Sequence, residues 1–281
     1  MPVAELTYYA GRLNLMPTQP NAAAKREFIA RALGAAVTLE NRGFEWGLLN
    51  VSELSAQDRS FFSGYLVKFK PETRVEIAQL ETRTLQTAVA RGLVDAKARF
   101  FLEVETGLIF YHPSLPEIQR EAFEVRFCHL FEKGLGNFFI SAEIDPIQEQ
   151  YSIVEELQRF ELILELDVTL RPSNPDHSEL WADQDAKLKR RNVKWSRTKM
   201  RGSENNGGLR IKEDEEVIAS LHMAEDGYGV AAIRGRSGGK ARRVTSRKAQ
   251  VNHPGPNDEM EDIFVLNALL EAFNDILRRL L

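Results

Sequence analysis

The clearest alternation of apolar and polar positions lies at residues 162–170, where Leu166, Val168 and Leu170 are interleaved with Asp167 and Thr169. That period of two predicts a strand with one buried face. Residues 6–15 alternate more loosely and end at Met16-Pro17, a strand followed by a break. The stretches 44–51, 61–69, 99–105 and 108–112 are rich in aromatic and branched residues, and Thr106-Gly107 between the last two predicts a hairpin. Helical spacing appears elsewhere. Residues 21–39 place Phe28, Ile29, Ala32, Leu33 and Ala36 on one face, and 117–132 form an amphipathic helix after Pro116, closed by Lys133-Gly134. Residues 258–281 carry Ile263, Leu266, Leu269, Leu270, Phe273 and Leu277 on one stripe, with Asn257 or Asp258 as cap.

The second half reads as a β-α-β unit, with a strand at 138–144, a helix opening at Asp145-Pro146 and the strand at 162–170. A helix then runs from about 175 into Lys189-Arg190-Arg191. The pieces 208–212, 217–223 and 228–233 read as a small meander turning at Asp226-Gly227, with Glu213 to Glu216 as a solvated turn between strands. The polar, Gly-rich stretches 196–208 and 235–256 read as loops or partly disordered segments.

A chain of 281 residues is near the length at which one core stops growing. The expected fold class is therefore α+β in two domains, 1–136 and 137–281, the second basic. The single cysteine, Cys128, sits in an apolar helical stretch and reads as a small buried thiol, which fits a reducing cytoplasm. No stretch approaches a membrane span, and the first ten residues lack the basic start of a leader.

Charge changes the picture most. Residues 187–248 hold 17 of the 37 Lys and Arg but 7 of the 41 Asp and Glu, so this window is strongly cationic although the chain as a whole is at −4. Local charge density, not net charge, attracts polyanions. The first cationic run is Lys187, Lys189, Arg190, Arg191, Lys194, Arg197, Lys199 and Arg201. On a helix, Lys187, Arg190, Arg191 and Lys194 share a face that would present donors to phosphates. Trp195 within the run either packs or stacks on a base, and packing is the favoured reading. The second run is Arg234, Arg236, Lys240, Arg242, Arg243, Arg247 and Lys248, in a Gly- and Ser-containing segment able to mould to a sugar-phosphate surface. Nothing matches a helix-turn-helix, zinc-finger or RNA-recognition motif, so backbone contact without base reading is expected.

Candidate catalytic chemistry is sparse. His112, His129, His177, His222 and His253 are scattered without metal-ligand spacing, and no Walker, Rossmann or G-x-S-x-G pattern occurs. No catalytic residue, metal or cofactor is assigned. The one enzymatic alternative is a metal-dependent nuclease, with Glu143 and Asp145 converging on Glu165 and Asp167 of a neighbouring strand to hold Mg²⁺. A protein-binding adaptor is the other alternative.

The strings Leu162-Ile-Leu-Glu-Leu-Asp-Val-Thr-Leu-Arg-Pro172, Gly208-Leu-Arg-Ile-Lys-Glu-Asp-Glu-Glu-Val-Ile218 and Glu271-Ala-Phe-Asn-Asp-Ile-Leu-Arg-Arg-Leu-Leu281, in this order around a basic helix, resemble the RexA exclusion proteins of lambda-like prophages. They are also similar to the KwaB proteins of Kiwa defence systems, and Phe100-Phe-Leu-Glu-Val-Glu-Thr-Gly-Leu-Ile109 matches their N-terminal hairpin. The resemblance implies an α+β, homodimeric, sequence-independent duplex-DNA binder that acts in anti-phage defence beside a second protein, with the basic helix at 187–199 as its contact segment. The apolar stripe of the closing helix could serve a dimer seam or a core equally well.

Overall fold

The computed structural model describes residues 5–16, 22–136, 140–173, 178–257 and 259–280. The expected break at Pro17, the element starts at Asn21, Phe138 and Pro175, the cap Asp258, His177 and Leu281 lie outside them. The chain is α+β, built on two antiparallel sheets.

The larger sheet comprises β1 (Leu6–Met16), β2 (Thr38–Asn41), β3 (Phe44–Ala56), β4 (Arg59–Gln79), β5 (Thr84–Glu103), β6 (Leu108–Tyr111), β7 (Ser141–Pro146) and β12 (Asn252–Gly255). Its order is β12-β1-β6-β5-β4-β3-β2, with β7 also paired to β1. Alternation gives it two apolar faces. Helices α1 (Ala22–Leu33) and α2 (Arg120–Gly134) cover one, where Phe123 and Phe127 pack beside Phe100 and Tyr111. Helix α6 (Asp262–Leu277) covers the other, burying Leu266, Leu269 and Phe273 against Tyr8, Phe61, Phe101 and Phe110. The stripe expected to serve either a seam or a core is thus filled by the chain's own sheet. Its entry is anchored by Arg99, which donates from Nη2 to the Met260 carbonyl at 2.8 Å and from Nε to Asp262 Oδ1 at 3.0 Å.

The smaller sheet has the order β11-β10-β8-β9, formed by β8 (Leu162–Leu170), β9 (Ser196–Arg201), β10 (Gly229–Ser237) and β11 (Lys240–Thr245). Helices α3 (Ser152–Arg159), α4 (Ala182–Arg190) and α5 (Glu215–Glu225) supply Ile153, Leu157, Leu188, Val217 and Leu221 to the core over Leu166, Val168, Ala231, Ile233 and Val244.

Three expectations need correction. Strand β7 joins β1 while β8 belongs to the other sheet, so the segments read as a β-α-β unit do not share a sheet. Residues 217–223, expected as a strand, lie in α5; Asp214 caps it by accepting from the Val217 N–H at 3.1 Å, and Val217, Leu221 and Ala224 make its apolar face. The stretches read as loops contain β9, β11 and β12. The division at 136/137 also differs from the layers, because β7, β12 and α6 return to the first sheet. A further departure is in β4 and β5, which extend as one ribbon through the polar residues between Phe69 and Val94.

A buried polar cluster locks the two sheets together. Arg12 Nε donates to the Asp226 carbonyl at 2.8 Å, Asn14 Nδ2 to the Gly227 carbonyl at 2.8 Å, and Trp181 Nε1 to Asp226 Oδ2 at 2.7 Å. Gly227 is required here: its φ is +83°, and a Cβ would lie 2.8 Å from that of Arg12. Beside it Arg171 Nη1 meets Asp145 Oδ2 at 2.5 Å, and its Nη2 meets Glu143. Burial pushes the Asp145 carboxyl up to about 7, against the Asn14 hydrogen bond that favours its ionised form, and pushes the Arg171 guanidinium down to about 10. Arg171→Leu is expected to lower unfolding free energy by about 3–5 kcal/mol, because it strands a buried carboxylate. Urea denaturation checks this; a loss under about 1 kcal/mol would show that the pair is not buried in solution.

Candidate nucleic-acid interface

The pleat of the smaller sheet turns Leu166 and Val168 toward the helices and Glu165 and Asp167 to the opposite face, which no helix of the core cluster covers. Antiparallel register sets their neighbours. Glu165 lies opposite Arg201 on one side and Arg234 on the other, and Arg234 lies opposite Arg243, so one row crosses all four strands. The next row places Lys199 opposite Asp167, and Arg197 lies opposite Thr169 in the third. Gly235, at the register shift between Arg234 and Gly235, approaches β8 so closely that a Cβ would sit 2.0 Å from the Leu162 carbonyl oxygen. On either side of it Arg234 and Arg236 are both exposed.

Six sequence-predicted cations thus meet on this open face: Arg197, Lys199 and Arg201 from β9, Arg234 and Arg236 from β10, and Arg243 from β11. With strands about 4.8 Å apart and outward side chains about 7 Å apart along each, they occupy a patch roughly 14 Å on a side. Two carboxylates organise its β9 side. Asp167 accepts two hydrogen bonds from Arg197, at 2.7 and 2.6 Å, and Glu165 contacts Lys199 at 2.9 Å and Arg201 at 3.5 Å. The Arg197 bonds hold the Asp167 carboxyl below its usual range, and Lys199 does the same for Glu165. Arg236 meets Glu204 at 3.3 Å. Arg234 and Arg243 form no ion pair among the described residues. They line a 310 Å³ hollow with Glu165 and Asp167, and as like charges directly opposed across strands they repel each other.

The other predicted cations are placed differently. Helix α4 ends at Arg190, so Lys194 does not share a helical face with Lys187, Arg190 and Arg191. Arg190, Arg191 and Lys194 are exposed in the lead-in to β9. Trp195 stands there 51% exposed, against the packing reading. Lys187 contacts Glu216 at 3.3 Å, and Lys189 contacts Asp185 at 2.6 Å. Arg242 lies on the same strand face as Val244, under the sheet, pairing with Glu156 and resting over the Phe160 ring. Arg247 is a latch between layers, 2.6 Å from buried Glu124, whose other oxygen accepts from the Tyr111 hydroxyl at 2.8 Å. Lys240 and Lys248 are exposed. The four carboxylates of the nuclease alternative do not converge: Glu143 and Asp145 are on β7 with Arg171, and Glu165 and Asp167 are on β8. Among the described residues no three of His, Cys, Asp and Glu gather as a metal site. Cys128 is buried, which raises its thiol pKa well above the ordinary value.

Residues 6–271 match the family described as Domain of unknown function (DUF4747). The chain belongs to this family. The match spans both sheets and both cationic strand pairs, so the open face lies within the family's own boundaries. No curated protein matches the chain. No helix among the described residues is long and apolar enough to cross a membrane.

The carboxylates of β8 are solvent-facing, and ion pairs of that kind contribute little to stability. Asp167→Asn is expected to change unfolding free energy by less than about 1 kcal/mol in a urea titration. A loss of several kcal/mol would mean that the face is buried.

Proposed function

We propose that this protein binds duplex DNA independently of sequence through the open face of the β8–β11 sheet, in the cytoplasm, as a sensor or effector of anti-phage defence. The observation that carries the reading is the gathering of six cations against the three carboxylates of Glu165, Asp167 and Glu204 on a sheet face that no helix of the core cluster covers. Duplex DNA carries one charge per about 1.7 Å of axis, so a 14 Å patch spans about eight phosphates, of which roughly half face the protein. Arg234 and Arg243 are the first contacts, because no carboxylate has to be displaced from them. Arg201, Lys199 and Arg197 follow by exchanging a carboxylate for a phosphate. Arg190, Arg191 and Lys194 extend the surface, and Trp195 supports it as an exposed ring.

The strands of this face offer a flat array of donors with no helix to enter a groove, which favours backbone contact over base reading. The resemblance to RexA and KwaB proteins supports the defence role, a homodimer and a second defence protein as partner. Two copies would bring two such faces to one duplex and raise avidity without a new contact.

Fluorescence anisotropy with a labelled duplex of mixed sequence tests the reading. The expected slope of log affinity against log salt is about −4 to −5. Arg234→Glu with Arg243→Glu should weaken binding at least tenfold at about 100 mM salt, whereas Arg242→Ala, beneath the sheet, should change affinity less than about twofold. Equal losses in the two variants, or a salt-independent affinity, would refute the assignment.

A further inference from the structure

Beyond Phe69 and Val94 the strands β4 and β5 leave the larger sheet as a two-stranded ribbon that turns at residues 80–83. The pairing of β3 ends at Phe69 and that of β6 at Phe100, so among the described residues the ribbon has no third strand. It is about 33 Å long. A pair of strands alone is at best marginally stable in water, which makes a cover on one face favourable.

Cross-strand partners share a face, and the register sorts the ribbon's side chains by charge. One face carries Lys70, Glu72, Arg74, Glu76 and Arg91, with Arg91 3.9 Å from Glu72. The other carries Phe69, Val75, Ile77, Ala88, Ala90 and Val94, and no charged residue from Phe69 to Gln79 or from Thr84 to Val94. Its two glutamines satisfy each other, Gln79 Nε2 donating to Gln86 Oε1 at 2.5 Å. Ile77 is 50% exposed and Val94 53%, and Leu80 at the turn is 88% exposed. Phe69 has the parity of Phe61 on β4, so this face continues the side of the sheet that α6 covers; at the ribbon's base on that side Leu49, paired with Tyr65, is also exposed.

The lack of charge sets the occupant. Phosphates and acidic or basic protein surfaces find nothing to pair with on this face, whereas its half-exposed apolar residues favour an apolar cover. The ribbon of a second copy offers a face of the same length and equally uncharged. Packing the two face to face about a two-fold axis leaves all five charges of each ribbon in water. We infer that the uncharged faces of the β4–β5 ribbons of two copies pack on each other with their tips reversed, bringing Leu80 of one copy to the base of the other, on the side of Leu49. A face about 33 Å by about 10 Å is smaller than the roughly 800 Å² per partner of a standard interface, so the dimer is reversible, with a dissociation constant in the micromolar range. The inference names the seam of the homodimer in the proposed function and to that extent rests on that reading; contact of the β8–β11 face with DNA does not depend on it.

Sedimentation equilibrium of the full chain, at concentrations from about 1 to about 100 µM, tests the seam. The chain should pass from monomer to dimer across this range. Val75→Glu with Ile77→Glu should raise the dissociation constant at least about tenfold, because it places charges in the contact. Arg74→Ala with Glu76→Ala, on the charged face, should change it less than about twofold. Should the first variant lose its fold, hydrogen exchange of the unaltered chain decides, with the amides of 72–78 and 85–91 exchanging more slowly at the high concentration than at the low one. A chain that stays monomeric at the highest concentration overturns the seam and the homodimer together. A dimer unaffected by Val75→Glu with Ile77→Glu, or ribbon exchange independent of concentration, overturns the seam alone, and none of these outcomes alters the anisotropy test of DNA contact.

Discussion

The constraint on which both faces of the smaller sheet depend is the pleat of β8. Successive side chains of a strand point to opposite faces, so one nine-residue segment commits Leu166, Val168 and Leu170 to the core and Glu165, Asp167 and Thr169 to solvent. Because β8 is central, with β10 on one side and β9 on the other, its parity dictates theirs. Ala231 and Ile233 must pack inward with Leu166 and Val168, which sends Arg234 outward, and Met200 inward sends Lys199 and Arg201 outward. A slip of one residue would bury the charges and expose the core. The cationic face and the hydrophobic core are therefore one decision taken once.

That sheet is held on the rest of the molecule by polar groups wholly or partly removed from water. Arg171 with Asp145, Arg12 with the Asp226 carbonyl, and Arg247 with Glu124 each join a residue of one layer to a residue of the other. Such contacts offset their desolvation only in good geometry, which gives the junction one preferred arrangement and not a sliding interface. The consequence for charge is direct. Arg171 and Arg247 are absorbed as structural cations, while the outward residues of β9, β10 and β11 remain on the surface.

The α+β class, the strand at β8, the 106–107 hairpin and the α6 stripe were legible because local pattern and tertiary role agree in them. The failures occurred where composition masked pattern. Arg234, Arg236 and Arg243 alternate with inward residues around Gly238-Gly239, whose φ angles of +58° and +72° make a two-residue hairpin turn, yet the density of Gly and charge reads as a loop. Asp214 followed by Glu215 and Glu216 is a helix-start signal, but the apolar run after it is short enough to pass for a strand. Helical spacing of Lys187, Arg190, Arg191 and Lys194 was real in the sequence and void in the fold, because α4 stops at Arg190. The long extension of β4 and β5 reads as polar chain, since most of its positions face water. Sequence located the cations; only cross-strand register shows which six share a face.

Arginine and lysine protection mapped by mass spectrometry, with and without a mixed-sequence duplex, tests this account most directly. Protection should concentrate at Arg234, Arg243, Lys199 and Arg201 and leave Arg242 and Arg247 unchanged on binding. Protection centred on the β4–β5 ribbon or on α1, with the β8–β11 face still reactive in the complex, would contradict it.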